Sequence, residues 1–196
     1  MEFTDVVRRR RMVRNYTEDP VPDDVIERIV DAGVRAPSAG FTQGQSFVVV
    51  TSAERRQRIA ELAGEAHYVE MGFDPWISRA PVHVVICVSE EAYHRRYQEP
   101  DKTDAAGNEI DWPVPYWWVD AGASMMSILL ATVNEGLAAG FLGAQSFEGL
   151  AEFLELPADV MPIGVVTIGH PAPDRRSSSL QRGRRSDVVH RERWQS

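Results

Sequence analysis

The chain has 196 residues, 43% apolar and 26% charged, the balance of a soluble globular protein rather than a disordered one, and long enough for a substantial core. Its one cysteine, Cys87, excludes an internal disulfide framework and a cysteine-rich zinc site. The net charge of −8 is unevenly spread. Residues 1–14 hold five arginines against Glu2 and Asp5, and residues 174–196 hold seven against Asp174, Asp187 and Glu192, while residues 15–173 carry nine basic and 24 acidic side chains. An acidic body opposes a nucleic-acid backbone, which needs a broad basic face. Two small basic ends suit a compact anion such as one phosphate group, the alternative being arginines that are simply solvated. The opening MEFTDVVRRR has no apolar run with a cleavage site, so no secretory signal is expected. The most apolar stretch, Ala121 to Gly143, is interrupted by Asn134 and Glu135 and reads as a buried helix rather than a membrane span. A cytoplasmic protein is expected.

In chain order, a first helix is predicted over residues 3 to 11, with Phe3, Val6 and Val7 on one face. A second runs from Pro22 to Arg35: Pro22 suits the first turn, Asp23 and Asp24 its positive end, and Val25, Ile26, Ile29, Val30 and Val34 recur at helical spacing. Ser46 to Thr51 is a short buried strand, after which Ser52 caps a helix to about Ala63. Val82 to Val88 is a second strand, followed by a core helix at roughly Val119 to Glu135 that is apolar on most sides. Strands at Gly140 to Leu142 and Gly164 to Ile168 flank a helix near Glu148 to Leu156. A helix apolar all round must be covered, within the molecule or between subunits. The pattern predicts one α+β domain over residues 1–196, a sheet flanked by helices, that dimerises.

Two linked segments carry the chemistry: Arg10-Arg11-Met12-Val13-Arg14-Asn15-Tyr16, closing the first helix, and Ala36-Pro37-Ser38-Ala39-Gly40-Phe41-Thr42-Gln43, entering the first strand. Together they resemble the nitroreductase family of FMN-dependent oxidoreductases, whose signature is an arginine-rich R-x-x-R-x-[FY], a helix, then A-P-S-x-x-N-x-Q-P-W and a strand. The likeness continues through Asp120-Ala121-Gly122, the stretch Glu135 to Gly143, Ile168-Gly169-His170-Pro171 and the closing Arg184 to His190. It therefore spans nearly the whole chain in the family's order. The resemblance implies a mixed sheet flanked by helices, an intertwined homodimer, FMN as cofactor and NAD(P)H as transient donor.

FMN offers one phosphate, and arginine presents a planar fork of donors that stays charged at any cellular pH. If the first helix persists, Arg10 and Arg14 share a face. The resemblance assigns Arg10 and Arg14, with Arg11 and Met12 beside them, to the phosphate and the pyrimidine side of the ring. Arg182 with Arg184 or Arg185 would close over the same phosphate, while Arg8 and Arg9 read as solvated. The loop of Pro37, Ser38, Ala39, Gly40, Phe41 and Gln43 comes, in the family, from the partner subunit, so each flavin lies in the interface. Ser38 is its expected side-chain donor or acceptor. Gly143, beside Leu142 in the segment Gly140 to Ala144, matches the family's backbone donor to flavin N5.

Three positions depart from the signature: Phe41 stands for asparagine, Gly44 for proline and Gln45 for tryptophan. Phe41 can pack on a ring but makes no polar contact, and an altered active-site wall is expected. Between the second strand and the core helix, Tyr93 to Trp118 holds six of the 17 aromatic residues and the only lysine, Lys102. The family uses this region, about residues 93–118, as a variable roof. With Phe41, the residues Trp112, Tyr116 and Trp117 are the expected stacking partners of a flat acceptor, the alternative being ordinary packing. The five histidines form no metal-binding spacing, so no metal is expected. His83 and Cys87 lie in a strand and read as structural.

The expected reaction passes a hydride from NAD(P)H through flavin N5 to a nitroaromatic, quinone or activated alkene by a ping-pong route. No side-chain acid, base or nucleophile is required, because the flavin carries the chemistry. The alternatives are a non-catalytic carrier of flavin or deazaflavin (F420) and a specialised dehalogenase-like member.

Overall fold

A computed structural model of the chain describes residues 1–143, 147–175 and 178–194. Helix α1 (Phe3–Arg9) is followed by α2 (Asp23–Val34), β1 (Gln45–Val50), α3 (Ala53–Leu62), α4 (Glu65–Glu70) and α5 (Trp76–Arg79). Then come β2 (Val82–Val88), α6 (Glu90–Tyr97), the long α7 (Tyr116–Asn134), β3 (Ala138–Gly143), α8 (Leu150–Phe153) and β4 (Met161–Gly169).

The four strands form one sheet in the order β1-β2-β4-β3, and all three ladders are antiparallel. The one parallel pairing among the described residues is a bridge between Met12 and Ala139. In this part of the chain, the expected mixed sheet thus amounts to antiparallel ladders with a single parallel bridge on the β3 edge.

β2 is the hinge of the core. Every residue from Val82 to Val88 is buried, so its side chains serve two faces at the period of a strand. Val82, Val84, Ile86 and Val88 join Val166 and Ile168 in one cluster with Ile26 and Ile29 of α2 and Ile128 and Leu129 of α7. Val85, Cys87 and Val165 face the other way, against Ile59, Trp76, Ile77 and Leu150. His83 lies on that second face with its Nε2 2.7 Å from the Ile77 carbonyl, and burial depresses its pKa to about 4. Burial likewise raises the Cys87 thiol to about 11, so it is inert at neutral pH.

Helix α7 packs against α2 through a close approach: a Cβ on Gly33 would fall 2.8 Å from the Ile128 side chain. Its first turn forms three residues earlier than predicted, at Tyr116 behind Pro115. Its opposite face is not covered by the described residues. Trp118, Val119 and Met126 are 42%, 51% and 42% exposed, an apolar stripe at helical spacing.

Helices α4 and α5 have no sequence signal strong enough to predict them. The Glu65 carboxylate makes α5 possible, because its Oε1 accepts the backbone N–H groups of Ile77 (2.6 Å) and Ser78 (3.0 Å). Those donors would otherwise be unsatisfied at a helix start.

Candidate functional site

Helix α1 ends at Arg9, two residues before its predicted end, and Arg10 already has an extended backbone (φ −56°, ψ 121°). Arg10 and Arg14 therefore do not share a helix face. Instead, the segment from Arg10 to Tyr16 is drawn along the edge of the sheet. The Val13 N–H donates to the Ala139 carbonyl (3.0 Å), and the Thr17 N–H donates to that of His170 (2.9 Å). The buried Tyr16 hydroxyl lies 3.1 Å from the Val13 carbonyl and 2.9 Å from Thr167 Oγ1. Burial raises this phenol well above its ordinary range, so it is neutral. Gly140 makes the approach possible, since a Cβ there would lie 2.5 Å from the Val13 carbonyl oxygen.

The strip so placed lines an open cleft of about 400 Å³. Arg8, Arg9, Arg10, Arg11, Met12 and Arg14 form one side. Ser179, Leu180 and Arg184 come from the C-terminal segment. The two basic chain ends, separated by 170 residues of sequence, thus meet. Asp174 organises the junction: its Oδ2 accepts the Arg11 guanidinium (3.2 Å) and the Arg14 backbone N–H (3.1 Å). Among the described residues, Arg11 is the one cleft arginine with a carboxylate partner.

Arg8 and Arg9, read from sequence as solvated, share this cleft. Arg182 ends the short 3-10 turn Ser178–Arg182 and does not line it. Arg185 is turned to Asp187, which it meets at 2.8 Å.

The second motif lies elsewhere in the same chain. Pro37, Ser38, Ala39, Gly40, Phe41 and Gln43 do not line the cleft, but form a tight loop against α6 and the start of α7. The Ser38 hydroxyl accepts the Gln43 N–H at 2.9 Å. The Ala39 N–H donates to Asp120 Oδ2 (2.8 Å), which also accepts the Tyr93 hydroxyl (2.8 Å), and Arg96 Nε donates to the Gly40 carbonyl (3.0 Å). Gly40, Phe41 and Gln43 all have positive φ, at 61°, 55° and 54°. For Phe41 and Gln43 that conformation is strained, and the Asp120 and Arg96 contacts hold it. Phe41 consequently stands out into solvent, 76% exposed.

Leu142 is a core side chain, 7% exposed, and Gly143 closes β3 beside it. Ala144 lies outside the described residues.

Of the expected roof aromatics, Trp117 is buried at 5% exposure and Trp112 is partly buried. Trp112 packs edge-on with Tyr93, His94 and Tyr97, its ring 4.5 Å from that of Tyr97, and Trp117 lies tilted against Tyr93 and His94. Ordinary packing therefore claims Trp112 and Trp117, whereas Tyr116 is 45% exposed. One carboxylate locks the cluster: Glu109 Oε1 lies 2.6 Å from both His94 Nδ1 and Trp112 Nε1.

The Glu109 hydrogen bond raises the His94 pKa. A raised folded pKa contributes stability that is complete below the ordinary imidazole value of about 6.5 and lost as pH rises through the folded value. Tryptophan fluorescence is therefore expected to change with a midpoint above about pH 6.5, and the transition should vanish in His94→Gln. The same curve in both proteins would contradict this lock.

Sequence reasoning missed Asp174, Arg96 and Tyr16 as organisers of these two places. Asp120 stood in a quoted motif, but without a role. Among the described residues, no group of three or more His, Cys, Asp or Glu is placed to hold a metal ion.

The arginine-lined cleft thus stands beside an antiparallel sheet on which the long apolar helix α7 packs. The sequence model of the Nitroreductase family matches residues 7–170, and this chain belongs to that family. An FMN reductase (NAD(P)H) of Bacillus subtilis strain 168 is 31% identical over 187 residues, which cover 94% of this chain and 71% of the relative. Among solved structures, the hypothetical oxidoreductase YcnD from Bacillus subtilis superposes with a TM-score of 0.75 at 29% identity, covering 100% of this chain and 76% of that one. B. megaterium NfrA1 has a TM-score of 0.76 at 22% identity with the same coverage, a likeness of fold.

Proposed function

We propose that this chain is an NAD(P)H-dependent oxidoreductase that carries FMN in the arginine-lined cleft and reduces nitroaromatics, quinones or activated alkenes by a ping-pong route. The observation that carries the reading is the meeting of Arg10, Arg14 and Arg184 in one cleft with no carboxylate partner among the described residues. Guanidinium forks left unpaired in a cleft match a phosphate monoester in both charge and geometry. When bound, FMN supplies hydride acceptance and donation at one ring, chemistry that no side chain here could provide. The protein's part is to bind, orient and enclose. Arg10 and Arg14 hold the phosphate from a strip fixed to β3 and β4, Arg184 closes over it, and Met12 gives the wall an apolar patch.

The working unit in this reading is a homodimer. The bare stripe of Trp118, Val119 and Met126 on α7 supports it, as do the exposed Val188, Val189 and Trp194 near the C-terminus. A second copy would also bring its loop of Ser38 and Phe41 to the cleft, which this chain's own loop does not reach. With Tyr116, the Phe41 ring would then form an apolar wall for a flat acceptor. No described helix is long and apolar enough to cross a membrane. The same reading puts the enzyme in the cytoplasm, where a lone thiol such as Cys87 stays reduced.

The test is the absorbance spectrum of the purified protein, the mass of its released ligand, and anaerobic addition of each nicotinamide. The expected result is a yellow protein that releases FMN and bleaches with NADPH or NADH. A colourless protein that takes up no FMN, a deazaflavin mass, or no bleaching with either donor would refute it.

A further inference from the structure

The cleft holds more positive charge than one flavin phosphate can neutralise. Arg8, Arg9, Arg10, Arg11, Arg14 and Arg184 border it, and among the described residues Asp174 is the one carboxylate bonded to any of them. A phosphate monoester brings a charge of about −2 near neutral pH. The remaining cations border the same cleft and repel one another. The helix end explains only part of this, since basic residues in the last turn of α1 gain a modest dipole interaction.

Four of the six arginines also fall into two groups by how firmly they are held. Arg10 and Arg14 belong to the strip bonded to β3 and β4, where a buried cofactor phosphate needs fixed donors. Arg8 and Arg9 sit at the exposed end of α1, on the rim of the same cleft. A rim position suits a group that arrives and leaves with each turnover.

We infer that Arg8 and Arg9 form a second anion subsite, which takes the 2′-phosphate of the adenosine ribose of NADPH and so makes NADPH the preferred donor. NADPH differs from NADH by that one phosphate, and arginine is the residue type that accommodates it in other nicotinamide sites. The inference rests on the flavin-site reading, because the donor must approach the same cleft.

The experiment titrates the protein as purified with adenosine 2′,5′-bisphosphate and with adenosine 5′-monophosphate, by calorimetry at low salt, for the wild type and the Arg8→Gln/Arg9→Gln double variant. Flavin per chain is read from the visible spectrum of each sample. In the wild type the bisphosphate should bind about tenfold or more tightly than the monophosphate. In the double variant that preference should fall to about twofold or less, with flavin per chain as in the wild type. The preference should also weaken in the wild type as salt rises. Equal binding of the two nucleotides by the wild type, or a preference that survives in the double variant, overturns the subsite. Both side chains are exposed, so the variant is expected to melt with the wild type. A single Arg9→Glu substitution repeats the test with reversed charge. Failure of the flavin reading shows separately, as protein that carries no FMN whatever its nucleotide preference.

Discussion

Replacing Arg14 with alanine is expected to weaken FMN binding by about 2–4 kcal/mol, roughly 30- to 1,000-fold, because a partly buried charge-assisted contact to the phosphate is lost. The effect should fall on binding rather than folding. Within the chain, the contact that fixes Arg14 uses its backbone N–H, which donates to Asp174 Oδ2 at 3.1 Å, and alanine keeps that donor. The side chain itself has no carboxylate partner among the described residues, so its removal orphans no buried charge. Flavin fluorescence titration of the apoprotein measures the loss, and a melting curve near that of the wild type completes the expected result. Unchanged flavin affinity would remove Arg14 from the site.

The second large effect concerns a residue that touches no ligand. Gly140→Ala should destabilise the fold by about 1–3 kcal/mol, which for a chain of this size lowers the melting temperature by about 2–12 °C. A Cβ there would sit 2.5 Å from the Val13 carbonyl oxygen, 2.9 Å from Thr167 Oγ1 and 3.1 Å from the Tyr16 hydroxyl. The nearest of these is backbone, which cannot rotate away as a flexible side chain can. Relief requires the strip from Arg10 to Tyr16 to lift from β3, which breaks the bond between the Val13 N–H and the Ala139 carbonyl. The strip carries Arg10 and Arg14, so flavin affinity should fall together with stability. Thermal melting with and without added FMN tests both halves. A variant that melts and binds flavin like the wild type would show that the strip's seat on β3 does not set the cleft.

These two residues also mark how far the sequence could be read. Arg14 was legible because an arginine-rich segment between two recognisable elements is a local pattern, and its chemistry points to phosphate without any structure. The role of Gly140 was not legible, since the close approach it permits involves Val13, which is remote in sequence. The same division holds for the fold. The apolar runs of β1 and β2 and the helical spacing of Ile26, Ile29 and Val30 predict their elements within a few residues, because period and burial are local properties.

Helix α1 was drawn too long because nothing in RRRRMVR announces that the chain will leave the helix to bond with Ala139. Helix α5 was missed because the Glu65 carboxylate that starts it lies eleven residues earlier in the chain. The aromatic segment was half legible. Its richness in tryptophan and tyrosine was plain, but not the division by which Glu109 and His94 hold Trp112 in a packed cluster while Tyr116 stays open.

The central claim is that the arginines of the two chain ends recognise a phosphate, and the most direct measurement compares FMN with riboflavin, which has the same ring and ribityl chain but no phosphate. Titration of the apoprotein with each should give FMN an advantage of about a hundredfold or more, since at least two charge-assisted contacts distinguish them. Equal affinity for the two flavins would contradict the account, for the cleft would then hold the ring without using the charge that defines it.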